Sequence, residues 1–294
     1  MDIKISKKIY IIILNWNNID DTIECLNSLR KIENAENNFK IVIVDNASKN
    51  QEIKKIFSDM KLFANKENRG FAAGNNTAIS YCLKQDDCGY IMLLNNDTAV
   101  EQNFIDPLLD YLDKNPKSIV SPKILYYSKP DIIQTMGGKF FIWGVAHVAK
   151  NKKTNNFCKI IKPDALSGAC IIAPKEVFKD AGLFDENYFS YLEDADWSLA
   201  ARQKKYELAV IPESIIYHKH SQSTKGSFLK TYLISRNNIY FAKKHFKGFK
   251  KYLFILSSII MGFFMNLFRY KNFYFLKNFI KGIRDGLKMQ IKNY

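Results

Sequence analysis

The chain has 294 residues, 47% of them hydrophobic and 25% charged, ordinary figures for a globular protein with ample core in one large domain or two small ones. Its five cysteines (Cys25, Cys82, Cys88, Cys158, Cys170) are scattered and have no metal-ligand spacing, which excludes a cysteine metal site and points to reduced thiols in a cytosolic setting. The net charge of +15 is uneven: residues 226–294 hold 14 Lys or Arg and one acid, Asp285, while the rest of the chain is nearly neutral.

The amino terminus, "MDIKISKK", is polar and does not read as a signal peptide. "IYIIILNWNN" (9–18) is a strand-length apolar run ending in polar residues, and "DDTIECLNSLRKI" (20–32) has apolar residues at helical spacing. "FKIVIVDNAS" (39–48) predicts a second buried strand, ending at Asp45. "NKENRGFAAGNNTAI" (65–79) places Gly70 and Gly74 ahead of a helix, where glycine permits a ligand to approach the backbone and a helix amino terminus favours phosphate. "GYIMLLNND" (89–97) predicts a third strand, ending at Asp97. Residues 121–165 are less regular, and "TMGGKFFIWG" reads as a turn with a hairpin-like insertion. "LSGACIIAPKEVF" (166–178) reads as a strand followed by a helix opened by Pro174. A loop from residue 181 becomes a helix near Glu193, and "ELAVIPESIIYHKHSQS" (207–223) reads as strand, turn, strand. Strands alternating with helices predict an α/β fold with a mostly parallel sheet flanked by helices. Ligands of such sheets bind at the carboxyl ends of the strands, where three runs here end in Asp or Asn.

Three places carry candidate chemistry. Asp97 can hold a divalent cation against a diphosphate, or it can cap the next helix. His218 and His220, in "IIYHKHSQS", are metal donors or surface polar residues. "YFSYLEDADWSL" (188–199) sets Glu193, Asp194 and Asp196 in an aromatic segment. Acids at a helix start suit its dipole, which explains one of them well and three poorly. A partly desolvated carboxylate facing a cleft makes a general base, with a second acid orienting the acceptor.

In this order, "ILNWNN", "IVIVDNAS", "NRGFAAGNN", "LLNNDT", "SGACIIAPKEVF", "GLFDENYFSYLEDADWSLAARQKKY", "IPESIIYHKHSQS" and "RNNIYFAKKH" resemble inverting family 2 glycosyltransferases of the GT-A fold, nearest to the rhamnosyltransferase-like subgroup. The motifs span about residues 9–246. The resemblance implies a Rossmann-like donor half in which Asp45 meets the donor's base and Leu14 and Trp16 line the nucleotide pocket. Gly70, Gly74 and Asn76 belong to the motif around the donor. Asn95, Asn96 and Asp97 occupy the DXD position, with Asp97 and His218 as ligands of Mg²⁺ or Mn²⁺ and His220 secondary. Asn95 stands where a strict motif has an acid, which weakens metal binding. Asp194 matches the catalytic base, and Glu193 and Asp196 support it or the acceptor. The implied reaction moves a sugar from a nucleotide donor, dTDP-rhamnose or a UDP-hexose, to a lipid-linked glycan of a surface polysaccharide. A noncatalytic nucleotide- or sugar-binding protein of the same fold is the alternative.

The expected transferase domain covers 1–246 and a basic, aromatic helical tail 247–294. Residues 252–268 carry no charge, short of the ~20 apolar residues of a typical spanning helix, and lysine-rich segments flank them. This favours an anchor lying in the plane of an anionic membrane surface, at the inner face of the cell membrane, over a spanning helix or a soluble cap. No nucleic-acid motif accompanies the charge.

Overall fold

A strand whose residues are apolar at both odd and even positions must be covered on both faces. The computed structural model describes residues 7–32, 39–49, 53, 57–58, 60–219, 228–270 and 273–291, without the side chains at 266, 268–270 and 273–274. In it the first apolar run is β1 (Lys8–Asn15). Tyr10 and Ile12 enter one apolar core, and Ile9, Ile11 and Ile13 enter another on the opposite face. Helix α1 (Ile19–Leu29) closes the second face with Cys25, Leu26 and Leu29. Strands β2 (Phe39–Asp45), β3 (Lys61–Ala64) and β4 (Cys88–Asn95) join β1 in a parallel run ordered β3-β2-β1-β4. Helix α2 (Gly70–Cys82) crosses from β3 to β4 and gives Ala72, Ala78 and Ile79 to the first core.

Beyond β4 the sheet is mixed. Strand β5 (Thr98–Val100) and helix α3 (Asp106–Lys114) lead into β6 (Ser118–Tyr126) and β7 (Lys129–Thr135). A separate hairpin, β8 (Gly138–Phe141) and β9 (Gly144–His147), is the insertion expected from "TMGGKFFIWG". Strand β10 (Cys170–Pro174) runs antiparallel to β4 and β6, while β6 pairs parallel with the last strand, Glu207–His218, so the sheet is mostly parallel, as expected. Short α4 (Lys175–Asp180) follows Pro174, and α5 (Glu193–Gln203) starts at Glu193 as expected. The strand, turn and strand expected over 207–223 are instead one strand, β11 (Glu207–His218), among the described residues. Pro212 sits in a register shift between Ile211 and Ile215, so the residue that suggested a turn makes a bulge.

Three helices end the chain: α6 (Phe228–His245), α7 (Gly248–Tyr270) and α8 (Phe273–Lys288). The boundary expected at 246/247 falls between α6 and α7, and apolar packing crosses it. Phe254 of α7 is buried with Tyr240 and Phe241 of α6 and with Tyr188 and Ala195 of the body.

Candidate active site at the carboxyl edge of the sheet

Parallel pairing sets Asn15 opposite Asp45 and Leu14 opposite Asn95, so the ends of β2, β1 and β4 lie in one row. Asp45 is buried and accepts from the Asn15 amide at 3.2 Å and from the Ser48 N–H at 3.3 Å. Asn15, wholly buried, also donates to Ser48 Oγ at 2.9 Å and accepts from Thr22 Oγ1 at 2.7 Å. It therefore fixes the Asp45 carboxylate and ties it to α1. Trp16 follows, 42% exposed and open to a ligand at this edge.

Asp97 and His218 meet because β5 pairs antiparallel with β11, setting His218 opposite Thr98. Asp97 Oδ1 lies 3.0 Å from His218 Nε2, and Asn95 Nδ2 lies 3.4 Å from the same nitrogen. Asp97 is followed by β5 and not by a helix, so helix capping is not its role. Neighbouring donors around an octahedral cation with ligands at about 2.1 Å sit about 3 Å apart, so this pair fits two adjacent positions on Mg²⁺ or Mn²⁺. Among the described residues no group of three His, Cys, Asp or Glu could hold a metal. His218 Nδ1 faces Gln134 Oε1 at 2.6 Å, the contact that orients an imidazole ligand. His220 lies outside the described residues.

Asp194 approaches the same edge from α5. Its carboxylate accepts from the Gly168 N–H at 2.9 Å and the Ala195 N–H at 2.8 Å. The Ala169 carbonyl accepts from Asn95 N at 2.9 Å, so the 167–169 loop joins Asp194 to the strand end beside His218. Burial pushes the Asp194 carboxyl above the ordinary aspartate range, against those two N–H groups. Burial pushes Glu193 further up, with the charge of Asp194 adding to it, and Glu193 Oε2 is buried with no hydrogen-bond partner among the described residues. Burial thus favours the protonated form more strongly at Glu193 than at Asp194, the member with N–H donors.

The loop leading to Asp194 is strained: Phe189, Tyr191 and Leu192 have φ of 64°, 71° and 73°. Two residues of α6 hold it. The buried Asn237 amide donates to the carbonyls of Tyr188, Ser190 and Tyr191 at 3.1, 2.8 and 2.7 Å. Arg236 donates to those of Asn187 and Tyr188 at 2.9 and 2.6 Å.

Several expected site residues make contacts within this scaffold. Asp196 turns away from the edge, accepting from Tyr188 Oη at 2.9 Å and Lys244 Nζ at 2.9 Å and meeting His245 Nε2 at 2.6 Å, which ties it to α6. At Gly70 (φ +77°) a Cβ would lie 2.2 Å from the Phe189 carbonyl, which instead accepts from Phe71 N at 2.6 Å. The amino terminus of α2 is thus occupied by protein, not open to phosphate. At Gly74 a Cβ would lie 2.6 Å from Leu14 Cδ1, so the half-buried Leu14 packs across the helix. Asn76 binds the 184–186 loop, through the Phe184 carbonyl at 2.9 Å and Glu186 Oε1 at 3.0 Å. Asn96 binds the Asn18 carbonyl at 3.2 Å and Thr22 Oγ1 at 3.0 Å, away from His218. Missed by the sequence reading were Asn15, Gln134, Arg236, Asn237 and the buried Asn46, whose amide bonds Asn68 Oδ1 at 2.9 Å and the Gly70 carbonyl at 3.0 Å. Asn15 and Asn237 lie inside the quoted motifs. Gln134 carried no sequence signal.

Residues 10–182 match the family model described as glycosyl transferase family 2. The chain is 24% identical over 217 residues to the dTDP-rhamnosyl transferase RfbF of Shigella flexneri, covering 72% of this chain and 69% of that protein. Among solved structures it is similar to GalNAc-T7 with UDP, GalNAc and Mn²⁺ (TM-score 0.62, 16% identity), covering 80% of this chain and half the length of that one. It is also similar to S. aureus TarS residues 1–349 in complex with UDP-GlcNAc (TM-score 0.60, 16% identity), covering 96% of this chain and 81% of that one. These likenesses show the GT-A fold that the motifs implied.

Proposed function

The chain belongs to glycosyl transferase family 2, and from that premise we propose that it is an inverting, metal-assisted transferase moving a sugar from a nucleotide donor to a lipid-linked glycan. The observation that carries this is the continuous edge from Asp45 through Asn15 and Asn95 to the Asp97–His218 pair, joined by the 167–169 loop to Asp194. Asp45 and the Trp16 ring receive the nucleoside. Asp97 and His218 hold the divalent cation, which when bound neutralises the diphosphate and favours its departure. The Asp194 carboxylate takes the proton of an acceptor hydroxyl as that oxygen bonds to the anomeric carbon. The bond to the nucleoside diphosphate breaks on the opposite face, and configuration inverts. The raised pKa makes Asp194 a stronger base than an ordinary aspartate. The Shigella relative favours dTDP-rhamnose as donor, and the UDP-containing neighbours favour a UDP-hexose.

We place the enzyme on the cytoplasmic face of a membrane, bound through α7 and α8. Residues Gly248–Met265 of α7 are long and apolar enough to cross a membrane, with mean hydropathy 1.4. Yet Phe254 and Ser258 lie buried on one side of this helix, and Phe254 joins a core shared with Phe241 and Tyr188, which supports an in-plane arrangement.

The test is nucleotide release from a panel of dTDP- and UDP-sugars, with and without Mg²⁺ or Mn²⁺, beside Asp97→Ala. One donor should be hydrolysed slowly, only with metal and only with Asp97 intact. Binding of every donor without hydrolysis, even with acceptor extracts present, would favour a noncatalytic protein.

A further inference from the structure

We propose that the tip of the β8–β9 hairpin, Phe141–Trp143, inserts into the lipid surface beside the exposed face of α7, so that the protein meets an anionic bilayer through two elements distant in sequence. This deepens the membrane reading above and rests on it.

Tight hairpin turns favour Gly, Asn and Asp. This one is turned by Ile142 and Trp143 between Phe141 and Gly144. Ile142 is 59% exposed, Phe141 is exposed, and the Trp143 ring stacks on Phe141 with centroids 5.2 Å apart. Nothing in the hairpin's own fold requires apolar side chains there. Below the tip, Phe140 packs on Phe241 of α6 at 5.5 Å, so the hairpin is braced against the body.

The tip does not stand alone. Ser257 Oγ of α7 donates to the Ile142 carbonyl. At 100° per residue Ser257 lies between the two faces of α7. On one side are buried Phe254 and Ser258, and on the other exposed Leu253, Leu256, Ile260, Phe263 and Phe264. The hairpin therefore extends the exposed apolar face at its margin, and the two form one patch of the kind that marks an interaction surface.

Charge selects the occupant. Lys247, Lys250 and Lys251 lie at the head of α7, and Lys277, Lys281, Arg284 and Lys288 form an exposed stripe on α8, against the single acid Asp285. Apolar and aromatic side chains beside lysine suit an anionic lipid surface. They suit a second copy poorly, because the same basic face would meet itself. The hairpin also runs into the site: the Gly138 N–H donates to the Ala165 carbonyl at 2.8 Å, three residues before Gly168, which holds Asp194.

The chain has three tryptophans, and Trp197 is buried, so in a Trp16→Phe background Trp143 is the tryptophan open to quenching from lipid. The full chain is mixed with phosphatidylglycerol-containing vesicles whose acyl chains are brominated. Trp143 emission should be quenched, and adding Trp143→Phe should abolish the quenching while sedimentation with vesicles persists. Ile142→Asp should weaken vesicle binding about tenfold or more, the scale expected for a buried aliphatic side chain, with an unchanged circular dichroism spectrum. Vesicle binding with unquenched Trp143 would overturn the hairpin proposal and leave the helical anchor standing. Absence of vesicle binding, with self-association broken by Ile142→Asp, would overturn both.

Discussion

Asp194 and Asp196 are two residues apart on one helix, so their side chains point about 200° apart. One meets the 167–169 loop at the sheet edge, and the other meets Lys244 and His245. Asp194→Asn should therefore lose about 10²–10⁴-fold in kcat with donor affinity kept, measured by nucleotide release and by titration of donor analogue. Because burial raises the Asp194 pKa, wild-type kcat should rise with pH through a value above the ordinary aspartate range, and the variant should lack that limb. Glu193 supplies a separate test. Its folded pKa is raised, so over the interval between the unfolded and folded values the unfolded chain has released the proton that the native state keeps. Stability is lost as pH rises across that interval. Glu193→Gln should raise the thermal midpoint at neutral pH and show no such gain below the ordinary glutamate range. An equal gain at both pH values would mean that Glu193 carries no such penalty.

Helix α6 acts at the next scale. Its Arg236 and Asn237 close four carbonyls of a loop holding three non-glycine residues at positive φ, and its Lys244 and His245 hold Asp196. Backbone of this kind persists only where neighbours over-determine it. Asn237→Ala leaves buried carbonyls unpaired and should destabilise the fold by roughly 1–3 kcal/mol. It should also lower kcat per folded enzyme more than it raises the donor KM, because in the proposed mechanism the loop positions the base and not the nucleotide. Denaturant unfolding and steady-state kinetics on one preparation separate the two effects. The motif "RNNIYFAKKH" was visible as a pattern, but its work was not. Nothing local in the sequence tells that Asn237 reaches a loop 46 residues earlier.

At the scale of the molecule, the basic helices are packed onto the catalytic body and not appended to it. Phe254 shares a core with Phe241 and Tyr188, so cutting the chain after residue 246 would open that core. Point variants are the better probe. Lys277→Ala and Lys288→Ala lie on the exposed stripe of α8 and should each weaken binding to anionic vesicles by about 1 kcal/mol at low salt. Raising the ionic strength should shrink that difference. Unchanged affinity in a sedimentation assay would mean that the stripe does not face lipid.

The sequence by itself determined the first strands of the parallel run, β10, most of the helices and the row of polar strand ends, and it named Asp45, Asp97, Asp194 and His218 as the candidates there. Apolar period and turn chemistry are local, and parallel strands with polar carboxyl ends bring those ends to one edge. Tertiary structure decided how "ELAVIPESIIYH" pairs, since only β6 beside it makes Pro212 a bulge. It decided that Gly70 and Asn76 hold the 184–189 loop, since what meets a glycine is set by the chain that packs there. It also decided which of two neighbouring acids reaches the site, because a helix turns one residue's side chain to the sheet edge and the other's to a partner that the chain supplies some fifty residues later.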